Sequence, residues 1–180
     1  EATLLMGRAA TKAALERLEA PGILHIASHG FFLQREVENP LLRSGLALAG
    51  ANQSSGPRAD GILTALEASA LNLRGTKLVT LSACDSGVGE VRNGEGVYGL
   101  RRAFVLAGSE TLVMSLWPVS DAISRETMVA YYTGLRVGLG RGDALREAKL
   151  DMLKRSGRQH PFYWASFIQS GEWASLDGDR

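Results

Sequence analysis

Sulfur is scarce in this sequence: Cys84 is the single cysteine among 180 residues. A lone thiol cannot close an internal disulfide, which fits a reducing compartment, and a cytoplasmic location is expected. A dominant charge is missing too, because 20 Lys and Arg meet 19 Asp and Glu for a net charge of +1. That balance gives no reason to expect nucleic acid or an anionic membrane as a partner. Apolar runs are strand-sized, too short to cross a bilayer. With 3 histidines and one cysteine, and no pair at zinc-finger spacing, no metal site is expected. Neither a Walker loop nor a dinucleotide glycine fingerprint is present, so no cofactor is expected either. A serine hydrolase would want glycines two before and two after its nucleophile, and Ser28, Ser82 and Ser86 lack that frame.

What is present is an ordinary globular composition, 45% hydrophobic and 22% charged, on a length that suits one domain with a real core. The start, Glu1-Ala2-Thr3, reads as neither an initiator methionine nor a signal peptide, so the chain is expected to be a piece of a longer protein. Thr3–Met6 reads as a short strand. Ala10–Leu18 reads as a helix with Thr11 as its N-cap. Pro21-Gly22 punctuates, and the strand Ile23–Ala27 then delivers Ser28-His29-Gly30-Phe31 into a loop. Gln34–Asn39 is a surface loop, Gly45–Ala49 a weak strand at an edge, and Ala51–Asp60 a second loop. Thr64 with Glu67 matches a capping box opening a helix. Leu78–Cys84 is a buried strand, with Asp85-Ser86-Gly87 as its turn. A glycine-rich stretch, Gly87–Gly99, precedes a helix over Tyr98–Leu106. Thr111–Leu116 is another buried strand. Helices follow over Asp121–Leu135 and Asp143–Lys154, the latter with Asp143 as N-cap. His160-Pro161 stops the second, and the aromatic run Phe162–Ile168 reads as the last strand. Strands and helices alternate, which predicts an α/β fold with a mostly parallel sheet between helical layers.

Two stretches share one layout. Ile23-Leu24-His25-Ile26-Ala27-Ser28-His29-Gly30 ends an apolar run in a histidine and a glycine, and Leu78–Cys84 ends one in the thiol. Both place a reactive residue where open α/β sheets carry their sites, at the C-terminal end of a strand. An imidazole beside a thiol raises the thiolate fraction and later protonates a leaving amine. Gly30 and Cys84 offer backbone N–H groups for a developing oxyanion. Taken singly, a lone cysteine is more often a small buried apolar residue and a lone histidine structural. His25, alternating with core residues, reads as structural, and His160 as a turn residue.

ILHIASHG and LVTLSAC resemble the two blocks of the caspase-like peptidases, a clan that includes caspases, separase, gingipain and clostripain. The closer resemblance is to the CHAT group, caspase-like domains often found with tetratricopeptide repeats. Asp60–Ala65, Gly94-Glu95-Gly96, Arg102-Ala103-Phe104, Leu116–Asp121 and His160–Phe167 resemble that group's pattern as well. The resemblance implies a three-layer caspase-like sandwich, with His29 as general acid/base and Cys84 as nucleophile. It implies a single domain over 1–180 that lacks the N-terminal part of the family's usual domain. A protein or peptide substrate follows, together with a tetratricopeptide-repeat region in the same protein or complex. Relatives in the clan hold a basic, acidic or amide side chain before the scissile bond. The acidic residue often found two before the cysteine is replaced here by Ser82. Asp121 is the candidate carboxylate for a basic residue, and equally a candidate N-cap; Asp85 and Glu95 are further candidates. The expectation is a cysteine endopeptidase cutting after a basic residue and switched on by a partner or effector. An inactive caspase-like scaffold or sensor, or another Cys-dependent enzyme such as an acyltransferase, is the alternative.

Overall fold

A computed structural model describes residues 2–32, 39–52, 61–85 and 95–178, with 83–85 and 95–98 described through their backbone alone. Most of the expected loops at Gln34–Asn39, Ala51–Asp60 and Gly87–Gly99 lies outside the described residues.

Six strands form one sheet: β1 (Ile23–Phe32), β2 (Ser44–Ala47), β3 (Ile62–Thr64), β4 (Leu78–Asp85), β5 (Thr111–Ser115) and β6 (Phe167–Gly171), in the order β3-β2-β1-β4-β5-β6. β1, β4 and β5 run parallel at its centre, and β2, β3 and β6 are antiparallel at the margins. The helices are α1 (Lys12–Glu16), α2 (Ala65–Ala68), α3 (Glu95–Leu106), α4 (Asp121–Arg136), α5 (Arg141–Lys154) and α6 (Pro161–Trp164).

Side chains alternate across a strand, so the central strands feed two cores at once. Leu24, Ile26, Val79, Leu81, Leu112 and Met114 pack with residues of α1, α2 and α3. Leu78 and Val113 face the other way, onto Ile123, Met128 and Tyr131 of α4 and Ala144, Leu145 and Met152 of α5. The result is the three-layer caspase-like sandwich, with helices on both faces. Helix starts follow local chemistry. Thr11 Oγ1 accepts from Ala14 N–H, and Thr64 and Glu67 form the full capping box.

Several boundaries differ from the sequence reading, each for a physical reason. β1 runs on for ten residues, through His29 and Gly30, because β2 pairs antiparallel with its last four. β2 is therefore interior to the sheet, between β1 and β3. Thr3–Met6 forms no strand, since no strand among the described residues pairs with it; Met6 O instead accepts from Ala9 N–H, and Leu4 and Met6 stay exposed. The aromatic run after Pro161 opens as a helical turn: His160 Nδ1 accepts from Phe162 N–H, and Pro161 suits the first helical position. His160 is thus an N-cap, and the strand starts only at Phe167. Ser120, whose Oγ accepts from Ile123 N–H, caps α4 in place of Asp121. α5 begins at Arg141, two residues before Asp143.

Arg141 is the largest fully buried side chain, 1% exposed. Its Nε donates to Ala174 O (2.9 Å), Nη1 to Lys77 O (2.8 Å), Thr111 Oγ1 (2.8 Å) and Glu110 Oε2 (3.3 Å), and Nη2 to Ser175 O (3.1 Å). One guanidinium thereby ties α5 to the N-terminal ends of β4 and β5 and to the C-terminal segment. Lys77, with Arg141 behind it, holds the Glu110 carboxyl below its ordinary pKa.

Candidate active site

His29 and Cys84 are direct Cα partners across the parallel β1–β4 pair, and Gly30 is the partner of Asp85 one step further. Adjacent strands lie about 4.8 Å apart, so the sheet register alone makes His29 and Cys84 neighbours. Ser28 Oγ donates to Ala47 O, pinning β2 against β1 immediately before His29. Gly30 is buried between Leu46 and Asp85.

His29 opens onto a cleft of about 930 Å³. Its floor is the α4-facing side of β1 and β4, with His25, Ala27 and Ser82. Its wall is one stripe of α4 carrying Asp121, Arg125, Met128 and Tyr132. The α4 residues recur every three or four positions, as one helical face requires. Asp121, at the first position of α4, thus shares the cleft with His29. A carboxylate there is also favoured by the positive end of the helix dipole. Asp85 ends β4 and Glu95 begins α3, which fixes their places in the chain path.

The cleft floor contains a hydrogen-bonded chain that the sequence reading did not assign to the site. Tyr132 O–H donates to Thr80 Oγ1 (3.0 Å), and the Tyr132 oxygen lies 3.0 Å from His25 Nδ1. With that phenolic proton committed to Thr80, His25 Nδ1–H is the donor to Tyr132. His25 Nε2 then accepts from Ser82 O–H, 3.1 Å away. The His25 and Tyr132 rings sit 5.6 Å apart at a 31° tilt. Burial pushes the His25 pKa below its ordinary value, so the neutral imidazole this chain needs is the favoured form, although one side of the residue stays open to solvent. Burial raises the Tyr132 pKa, which keeps its phenol protonated. The signal for His25 was present in the spacing: positions 25, 27 and 29 share one face of a strand.

Comparison with known proteins adds the lineage. The profile of the CHAT domain matches residues 1–172. Tetratricopeptide repeat protein 28 of Homo sapiens is 35% identical over 121 residues, which is 67% of this chain and 5% of that protein. Its Mus musculus counterpart is 34% identical over 121 residues, with the same shares. The chain therefore spans about a twentieth of the length of these curated relatives. No helix among the described residues is long and apolar enough to cross a membrane. A profile match over nearly the whole length, on a three-layer sandwich with His-Gly and Ala-Cys on adjacent parallel strands, places this chain in the CHAT domain family.

Proposed function

We propose that the chain is a cysteine endopeptidase acting on a protein partner, with Cys84 as nucleophile and His29 as general acid/base. The observation that carries the reading is the β1–β4 register, which makes His29 and Cys84 Cα neighbours, with His29 lining a cleft large enough for a peptide segment. In the reaction, His29 takes the thiol proton as the sulfur adds to the scissile carbonyl. It returns that proton to the departing amine, leaving a thioester on Cys84. His29 then accepts a proton from water, whose oxygen adds to the thioester; the C–S bond breaks to release the acid, and His29 returns the proton to the Cys84 thiolate. The N–H groups of Gly30 and Cys84 are the donors assigned to the tetrahedral oxyanion. A single such donor is worth about 10²–10³ in rate.

Asp121 is assigned to a basic residue before the scissile bond, because its carboxylate lines the same cleft as His29. Asp85 and Glu95 are secondary assignments for the same role. Activation by a partner or effector, a cytoplasmic location and a tetratricopeptide-repeat region in the same protein or complex belong to this reading. So does a single domain over 1–180. The relatives' name, tetratricopeptide repeat protein, supports the repeat association.

The test is cleavage of peptide libraries and candidate partners by wild type, Cys84→Ala and His29→Ala. Turnover lost in both variants supports the dyad. Cleavage that survives Cys84→Ala, or no Cys84-dependent cleavage of any substrate, ends the peptidase reading in favour of a scaffold or sensor, which needs neither residue. Asp121→Ala is expected to lower kcat/KM for basic substrates at least tenfold while sparing uncharged ones. An unchanged preference removes the assignment.

A further inference from the structure

The far edge of the sheet carries a second recognition feature. β6 is the terminal strand beside β5. Glu172 N–H donates to Glu110 O and Leu116 N–H to Ser166 O, so the even-numbered residues of this stretch turn their backbone groups toward β5. In an antiparallel ladder the alternate residues then face outward, which leaves the N–H and C=O of Gln169 and Gly171 on the open side. Beside that edge lies a groove of about 600 Å³, away from the cleft that holds His29. Leu145, Leu150 and Leu153 of α5 face Trp164 and Trp173 across it.

Its polar groups are lopsided. Arg146 and Lys149 line the groove, and no acidic side chain does so among the described residues. Arg146 is paired with Glu147 at 2.7 Å. Lys149 has no ion pair among the described residues, and burial pushes its pKa down. Gln169 donates through Nε2 to Glu172 O, while its Oε1 is buried without a hydrogen-bond partner. An unpaired cation, an orphaned acceptor and a strand edge thus converge on one apolar trough.

We propose that the open edge of β6 and the adjoining Trp164–Trp173 groove form a docking site for an extended protein segment whose groove-facing positions, every second residue, combine aliphatic side chains with an acidic one. An added strand satisfies the outward groups of Gln169 and Gly171, as a helix in the groove would not. Alternate residues of a strand point the same way, so the set that enters the apolar groove carries both the aliphatic side chains and the carboxylate that reaches Lys149. That pairing relieves the cost of holding an unpartnered ammonium against tryptophan and leucine. A second copy of this chain fits worse. Its own β6, Phe167-Ile168-Gln169-Ser170-Gly171, brings no carboxylate for Lys149.

The test pans a display library of randomised octapeptides against the Cys84→Ala chain, so that binding is read without cleavage. Enriched peptides are then titrated against Cys84→Ala alone and combined with Lys149→Glu or Lys149→Met. Sequences with an acidic residue two positions from an aliphatic one are expected, with binding at least tenfold weaker for Lys149→Glu. Lys149→Met keeps the apolar stem and should make Glu- and Gln-containing peptides bind alike, which separates lost charge from lost folding. On binding, the Gln169 and Gly171 amides should gain protection from hydrogen exchange. The proposal is overturned if nothing enriches at micromolar affinity, if the enriched peptides lack acidic residues, or if Lys149→Glu changes nothing. A β6-mediated homodimer in light scattering also overturns it. None of these outcomes bears on the dyad, which sits at the β1–β4 pair.

Discussion

Replacing Arg141 by methionine isolates the price of emptying a buried polar hub. Methionine keeps most of the stem volume and removes every donor. Five hydrogen bonds disappear, to Lys77 O, Glu110 Oε2, Thr111 Oγ1, Ala174 O and Ser175 O. Each buried acceptor left unsatisfied costs about 1–3 kcal/mol, but carbonyl oxygens with a second partner lose less, so the sum overstates the effect. Removing one partner from a buried charged network costs about 3–5 kcal/mol, and about 4 kcal/mol is the expected loss. For a chain of this length that lowers Tm by roughly 10 °C. The assay is paired thermal and urea unfolding of wild type, Arg141→Met and Arg141→Lys, with hydrogen exchange on Ala174 and Ser175. Arg141→Lys should fall between the other two, because one ammonium cannot span the acceptors that the planar fork reaches. A loss below about 1 kcal/mol for Arg141→Met, with Ala174 and Ser175 still protected, would refute the view that this guanidinium holds the C-terminal segment to the sheet.

Three further perturbations test other parts of the structure. Folding depresses the His25 pKa, so its contribution is fully present above the unfolded value of 6.5 and is lost as pH falls through the lower folded value. Wild type should therefore lose more stability than His25→Gln between about pH 7 and 5, measured by thermal melts; parallel curves would contradict the neutral His25 chain. Thr64→Ala removes the hydroxyl half of the capping box at α2, leaving the backbone N–H bond to Glu67, and should lower stability by about 1 kcal/mol in urea unfolding, with no change serving as disproof. Gly134→Val intrudes where α4 crosses α5, since even a Cβ at Gly134 would come within 3.0 Å of the Ala144 Cβ. A loss of about 2 kcal/mol is expected there, and an unshifted melt would mean the helices separate freely.

The parts of this architecture legible in the sequence are those fixed by short-range pattern. Apolar runs ending at Cys84 and near His29 announced two central strands, and the Thr64–Glu67 spacing announced a helix start. Features set by distant partners were not legible. β1 passes through His29 because β2 pairs with its final residues, a contact that no local pattern encodes. The run Phe162-Tyr163-Trp164 has strong strand propensity, yet the His160 cap and Pro161 decide the first turn. Arg141 lies just before the helix read over Asp143–Lys154, and nothing in its local sequence marks it as buried. Only the convergence of acceptors from β4, the residues around Glu110 and the C-terminal segment makes a buried place for it. His25 looked like a strand residue among others because its partners, Ser82 and Tyr132, lie 57 and 107 positions away.

The β1–β4 register also sets when His29 and Cys84 come together as the chain folds. His29 and Cys84 are 84 − 29 = 55 positions apart and have no local contact that would bring them together early. Closing a loop of that length costs about 3.5 kcal/mol in chain entropy before any constant term. The cost is recovered only as the parallel strands zip together and both cores pack, so thiol and imidazole meet late, with the body of the sheet. A partly folded chain therefore holds Cys84 and His29 apart.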